Sequence, residues 1–213
     1  MKVMRTKVIG MTGGVGAGKS QVLSYIKNKY NCRIIMADEV AHFVKEPGQK
    51  CYEQLVALLG TSVLAEDGQI HRERMAEKIF ADKGLLSMVN QIVHPAVKEY
   101  ILNSIEQEKK EQKLDFLFVE AALLIETGYG TVVDELWYLY AEEGIRRERL
   151  KKARGYSDEK IDRILNSQLS DEEFRVECSV VIDNSGTLEQ TYQQIDKKLE
   201  EYLWNKEEDM QNV

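Results

Sequence analysis

The chain has 213 residues, 43% of them hydrophobic, enough to bury one sizeable core and in keeping with a single domain carrying insertions. A net charge of −7 argues against a protein that holds nucleic acid by bulk attraction, so its phosphate sites are expected to be local. Cys32, Cys51 and Cys178 are far apart and show no C-x-x-C spacing, which speaks against a disulfide framework and against a zinc site. The first residues, MKVMRTKVIGMTGG, are too interrupted by Lys and Arg for a secretory segment, and no run of about 18 apolar residues occurs. A cytoplasmic protein with no membrane or nucleic-acid partner is expected.

Short aliphatic and β-branched runs alternate with longer helical patterns, the order of a parallel sheet covered by helices. Strands are expected at Lys7 to Met11, Arg33 to Met36, Leu114 to Val119, Leu136 to Tyr140 and Ser179 to Ile182. The first leads into a glycine loop and then a helix with Val22, Ile26 and Tyr30 on one face. Between the second and third runs lies a long helical stretch, too long for a simple crossover. Its apolar stripes are Tyr52, Leu55, Val56 and Leu59, then Met75, Ile79 and Phe80, then Val97, Ile101 and Ile105. Pro47-Gly48, Asp67-Gly68 and His94-Pro95 punctuate them. A second, highly charged insertion covers about Glu142 to Cys178, with Ser170 and Glu173 spaced as a capping box, and it reads as a lid. Thr187 and Gln190 open the final helix in the same way, and its stripe is Leu188, Tyr192, Ile195, Leu199 and Leu203.

Gly13-Gly14-Val15-Gly16-Ala17-Gly18-Lys19-Ser20 matches G-x-x-x-x-G-K-[ST] between a strand and a helix. Glycines let backbone N–H groups converge on phosphate oxygens, Lys19 reaches the β- and γ-phosphates, and the Ser20 hydroxyl is placed to ligate Mg²⁺ held by ATP. No guanine-reading N-K-x-D pattern is present, which favours a kinase over a nucleotide switch.

Asp38 follows the second strand run, where a carboxylate can accept a proton from an attacking hydroxyl, hold Mg²⁺ through water, or cap a helix beginning at Glu39. Glu120 ends the third run, as a metal-directed acid or as the partner of a nearby cation. His94 sits beside Pro95 at an expected helix junction, a place for a cap or a substrate contact. Arg146 to Arg154 carries six cationic side chains, a solvated helix face from which one or two arginines can reach ATP phosphates.

Taken in order, IGMTGGVGAGKS, ADEV with Asp38, EPG at Glu46 to Gly48, DGQIHRERM at Asp67 to Met75, IVHPAV around His94, ALLIE from Ala122 to Glu126, RILNSQ ending at Gln168 and VIDNSG ending at Gly186 resemble the dephospho-coenzyme A kinase family. The resemblance implies an α/β P-loop kinase fold, a five-stranded parallel sheet flanked by helices with a helical substrate-binding insertion and a lid. Residues 1–38, 114–141 and 179–204 would form the nucleotide core, 39–113 the acceptor domain, 142–178 the lid and 205–213 a flexible tail. ATP would be the phosphoryl donor, with Mg²⁺, and the ribose 3′-hydroxyl of dephospho-coenzyme A the acceptor. On this reading Asp38, Lys19 and Arg149 are catalytic, and Gly13 to Ser20 with Gln21, Arg154 and Asn184 hold the nucleotide. Arg72, His94, Pro95, Asp38 and Glu120 face the acceptor. Departures are Met36 where the family usually has Asp, Gln21 for Thr, Ala122 for Pro, Cys178-Ser179 for Ala-Asp, and one extra residue between Arg149 and Arg154. Another nucleoside kinase, or a P-loop switch or assembly ATPase, is the competing reading.

Overall fold

Five apolar runs become strands because each is rich in β-branched, aliphatic or aromatic residues and ends at a glycine, an acidic residue or a polar turn. In the computed structural model, which describes residues 5–121, 124–125 and 128–211, they are β1 (Lys7–Thr12), β2 (Cys32–Met36), β3 (Phe116–Glu120), β4 (Glu135–Tyr140) and β5 (Val180–Asp183). Each lies within two residues of its expected bounds. Their order in the sheet is β2-β3-β1-β4-β5, with β1 parallel to both β3 and β4 and β4 parallel to β5. Every residue of β3 is buried, as is every residue of β1 after Lys7, the continuous burial expected of a parallel sheet covered on both faces. The chain divides into two units, Met1–Ile34 with Gln107–Val213, and Ile35–Glu106.

In the first unit, α1 (Lys19–Lys29) and α9 (Leu188–Gln211) supply Val22, Ile26, Ile195 and Leu199 to a core shared with Ile9, Met11, Phe116, Phe118, Trp137 and Leu139. The expected stripes of both helices are thus the buried ones. α9 stays helical to Gln211, seven residues past Trp204, where a flexible tail was expected to start; the Lys, Glu, Met and Gln of that stretch are good helix formers. Three further helices follow β4: α6 (Glu143–Arg154), α7 (Asp158–Leu165) and α8 (Asp171–Glu177). The Ser170 hydroxyl accepts the Glu173 N–H while the Glu173 carboxylate accepts the Ser170 N–H, so the expected capping box forms. Phe174 of α8 then stacks on Tyr138 of β4, ring centroids 4.6 Å apart.

The second unit holds α2 (Ala37–Phe43), α3 (Lys50–Leu59), α4 (Arg72–Ala81) and the greater part of α5 (Lys83–Glu111). Leu55, Leu59, Met75, Ile79, Val97, Ile101 and Ile105 are buried as the stripes require. Phe80 is the exception at 82% exposed, because one residue beyond Ile79 turns it about 100° off the buried stripe. His94 and Pro95 depart more sharply from expectation: they form no junction, and Pro95 lies inside the continuous α5. A proline removes one helical N–H, and a 29-residue helix that buries Val89, Val97, Ile101 and Ile105 tolerates that local loss. No described helix is long and apolar enough to cross a membrane. All three cysteines are free, and burial pushes the Cys32 and Cys178 thiols up to about 11.

One polar cluster joins α1 to α9. The Asp196 carboxylate accepts hydrogen bonds from the hydroxyls of Tyr25 and Tyr30 and pairs with Lys29 at 2.7 Å, while Tyr25 stacks on Tyr192 with centroids 3.7 Å apart. Burial works to raise the Asp196 carboxyl, but the bonds from Lys29, Tyr30 and Tyr25 outweigh it and hold the group below the usual carboxylate range. A depressed carboxyl stabilises the fold above its unfolded value, and that contribution disappears as pH falls through the folded one. Asp196→Ala is therefore expected to lose about 1–2 kcal/mol in urea unfolding at neutral pH. Its deficit against the wild type should begin to shrink below about pH 4, where the unfolded carboxyl takes up its proton, and close only as pH falls through the lower value of the folded group.

Candidate active site

The loop from Gly13 to Ser20 leaves the C-terminal end of β1, the middle strand of the sheet, and turns into α1. Sterics select its glycines. A Cβ at Gly13 would stand 2.5 Å from the Leu139 carbonyl oxygen, and Gly18 takes φ +96° as the N-cap of α1, a left-handed value costly to other residues. No side chain caps α1 and no acidic residue occupies its first turn, so the positive end of the helix dipole faces the loop. Ser20 and Gln21 are exposed in that first turn.

Lys19 folds back along the loop. Its ammonium donates to the Gly13 carbonyl oxygen at 2.6 Å and lies 3.7 Å from the Glu120 carboxylate, with both side chains mostly buried. Glu120 is there because Met11 of β1 pairs in register with Glu120 of β3, one residue before β1 ends at Thr12. Of the two roles open to Glu120, the structure displays the cation partner.

The charged segment after β4 turns a single face to the loop. Arg146 Nε donates to the Val15 carbonyl oxygen at 3.1 Å, and Arg149, one turn on, donates to the carbonyl oxygens of Ala17 at 3.3 Å and Asn184 at 2.9 Å. Asn184 is 1% exposed; its amide donates to the Ala17 carbonyl oxygen at 2.7 Å and its side-chain oxygen accepts from the Thr191 hydroxyl at 2.9 Å. Gln168, in the connection between α7 and α8, accepts the Val15 N–H at 3.1 Å. Arg147 and Lys151, on the other face of α6, pair instead with Asp162 and Asp158 of α7. Arg154 ends α6 with its guanidinium 5.8 Å from the Tyr156 ring centroid, and makes no hydrogen bond to the loop among the described residues.

Arg149 and Asn184, named from the family resemblance for roles at the nucleotide, lie against the loop backbone, as do Arg146 and Gln168, which were given no role of their own there. The three-residue spacing of Arg146 and Arg149 was the available signal, since it puts both on one helical face. Gln168 ends the RILNSQ segment that resembles the family, but no local spacing ties it to the loop.

In the second unit, Asp38 lies in the first turn of α2, whose N-cap is Met36. The capping role considered for Asp38 is therefore corrected: the helix begins at Ala37, two residues before the Glu39 start that the role requires. Arg72 is the exposed first residue of α4, next to His71, whose ring accepts the Arg74 N–H and caps the helix. Burial, against the pull of the Cys51 thiol, together with the positive charge of Arg72, lowers the Lys45 ammonium, so two cations gather in this unit. His94 and Pro95 lie along α5, not at its end. Glu126 and the Ala122 departure lie outside the described residues.

The model of the dephospho-CoA kinase family matches residues 7–190. A dephospho-CoA kinase of Carboxydothermus hydrogenoformans is 36% identical over 92% of this chain and 95% of its own length, and one of Oceanobacillus iheyensis is 36% identical over 94% and 98%. A solved structure from Thermus thermophilus, 25% identical, superposes with a TM-score of 0.73 over 92% of this chain and 98% of that one. With the loop, its lysine and the arginine face all inside the matched stretch, the chain belongs to the dephospho-CoA kinase family.

Proposed function

We propose that this chain transfers the γ-phosphoryl group of ATP to the ribose 3′-hydroxyl of dephospho-coenzyme A, giving coenzyme A and ADP. The observation that carries the reading is the phosphate loop with Lys19, Arg146 and Arg149 gathered on it, in a chain matched to this family over residues 7–190. Loop amides and the start of α1 cradle the β- and γ-phosphates. Lys19 leaves its Gly13 contact for phosphate oxygens, and Arg149 holds the loop in shape through Ala17 and Asn184.

Phosphoryl transfer asks little covalent chemistry of the protein, so charge placement carries most of the rate. Asp38 accepts the proton of the acceptor hydroxyl; its support is its place directly after β2, the kind of strand end where ligands of open α/β folds bind. Ile35–Glu106 is the acceptor domain in this reading, with Arg72 and Lys45 offering positive charge to the acceptor's pyrophosphate and His94-Pro95 along α5. The helices from Glu143 to Glu177 are the lid.

No group of three or more His, Cys, Asp or Glu suited to a metal ion occurs among the described residues. The exposed Ser20 hydroxyl, in the first turn of α1 beside the phosphate loop, suits Mg²⁺ carried on ATP phosphates, since Mg²⁺ rarely takes an all-protein cage. When bound, Mg²⁺ would neutralise charge on the transferring phosphates.

The direct test is ADP formation with and without dephospho-coenzyme A, with phosphorus NMR of the product to locate the new phosphate. Acceptor-independent ADP release would favour a switch or assembly ATPase. Lys19→Ala is expected to cut turnover by on the order of 10²-fold or more, with a melting curve showing the fold retained. For Asp38→Asn, which keeps shape but cannot take a proton, turnover should drop by roughly 10²-fold, the lower part of the range for general base catalysis because the transition state is loose. A loss below about fivefold would sink the base assignment.

A further inference from the structure

We infer that Gln168 is a positioning residue for phosphoryl transfer: its side-chain carbonyl oxygen ties the connection between α7 and α8 to the phosphate loop and holds the Arg146 guanidinium against Gly14. The inference rests on the kinase reading above.

Gln168 Oε1 accepts two hydrogen bonds, from the Val15 N–H at 3.1 Å and from Arg146 Nη2 at 3.2 Å. Arg146 Nε donates to the Val15 carbonyl oxygen at 3.1 Å, which closes a ring of three hydrogen bonds through one loop residue. Val15 thereby has both backbone groups engaged by the lid. A Cβ built on Gly14 would stand 2.5 Å from Arg146 Cζ and 2.7 Å from each Nη, so the guanidinium sits where it does only because residue 14 has no side chain to displace it. Arg146 Nη1 makes no hydrogen bond with a described residue.

Charge separates this contact from an ordinary structural one. Arg147, the next residue, is matched by the carboxylates of Glu143 and Asp162. Arg146 has only neutral acceptors among the described residues, Val15 O and Gln168 Oε1, so its positive charge is not cancelled. A half-buried guanidinium held by neutral oxygens at the mouth of a phosphate loop keeps its attraction for an anion. Glutamine suits this place, since glutamate would hold Arg146 equally well but neutralise it. The position of Gln168 is itself fixed, because the Ser170–Glu173 capping box and the stack of Phe174 on Tyr138 anchor the start of α8 a few residues on.

Two variants of the full chain, assayed with Mg-ATP and dephospho-coenzyme A, test the inference. Gln168→Ala removes the acceptor and should lower kcat by on the order of tenfold to a hundredfold, with KM for dephospho-coenzyme A and the melting curve little changed. Gln168→Glu keeps the acceptor but adds an opposing charge, so ADP, titrated calorimetrically, should bind about fivefold or more weakly, a deficit that shrinks as salt is raised. A kcat for Gln168→Ala within about twofold of wild type would overturn the inference, and so would a Gln168→Glu protein that binds ADP as tightly as wild type. If the wild-type chain forms no ADP in an acceptor-dependent way, the kinase reading fails separately, and the ADP titration alone decides the role of Gln168.

Discussion

A loop that gathers its amide hydrogens around a phosphate must find donors for the carbonyl oxygens it turns the other way, and here that requirement organises the surrounding structure. The carbonyls of Gly13, Val15 and Ala17 alternate along the loop and draw donors from three places: Lys19 at the head of α1 for Gly13, Arg146 on α6 for Val15, and Arg149 on α6 with Asn184 just after β5 for Ala17. The phosphate loop is therefore the hub on which one helix of the sheet and the charged helices after β4 are registered. Cationic donors suit the purpose, because the same side chains that satisfy the carbonyls bring positive charge within reach of a nucleotide.

The sheet prepares this hub. Central β1 is clamped by β3 and β4, and the in-register pairing of Met11 with Glu120 delivers a carboxylate to Lys19. Glycines at 13, 14 and 18 matter for what lies against them, a carbonyl oxygen, a guanidinium and a side-chain amide respectively, as much as for their backbone freedom.

What was legible in the sequence was local. Five strands, the α1, α3 and α9 stripes, both capping boxes and the phosphate loop are written in spacings of two to eight residues, and each stands in the structure. His94-Pro95 misled because a proline marks a boundary only when its helix lacks other support, and α5 has its buried stripe on both sides of it. Phe80 misled because an apolar residue adjacent to a stripe is not part of it. Arg146 and Gln168 were missed for another reason: their partners are more than 130 and 150 residues away in the chain, and a local spacing can put Arg146 on the face of Arg149 but cannot say what that face meets. Family resemblance supplied Arg149 and Asn184, which spacing alone could not have joined to the loop.

Burial of the thiols bears on the company such a kinase would keep. Cys32 and Cys178, with thiols pushed up to about 11 by burial, are overwhelmingly protonated at neutral pH. Disulfide exchange proceeds by attack of a thiolate on a disulfide sulfur, so these side chains are slow to attack any disulfide in solution. An enzyme whose acceptor and product both end in a sulfhydryl would meet them also as oxidised mixed disulfides, and thiols this reluctant to ionise would displace such disulfides only slowly, with the product thiolate as leaving group.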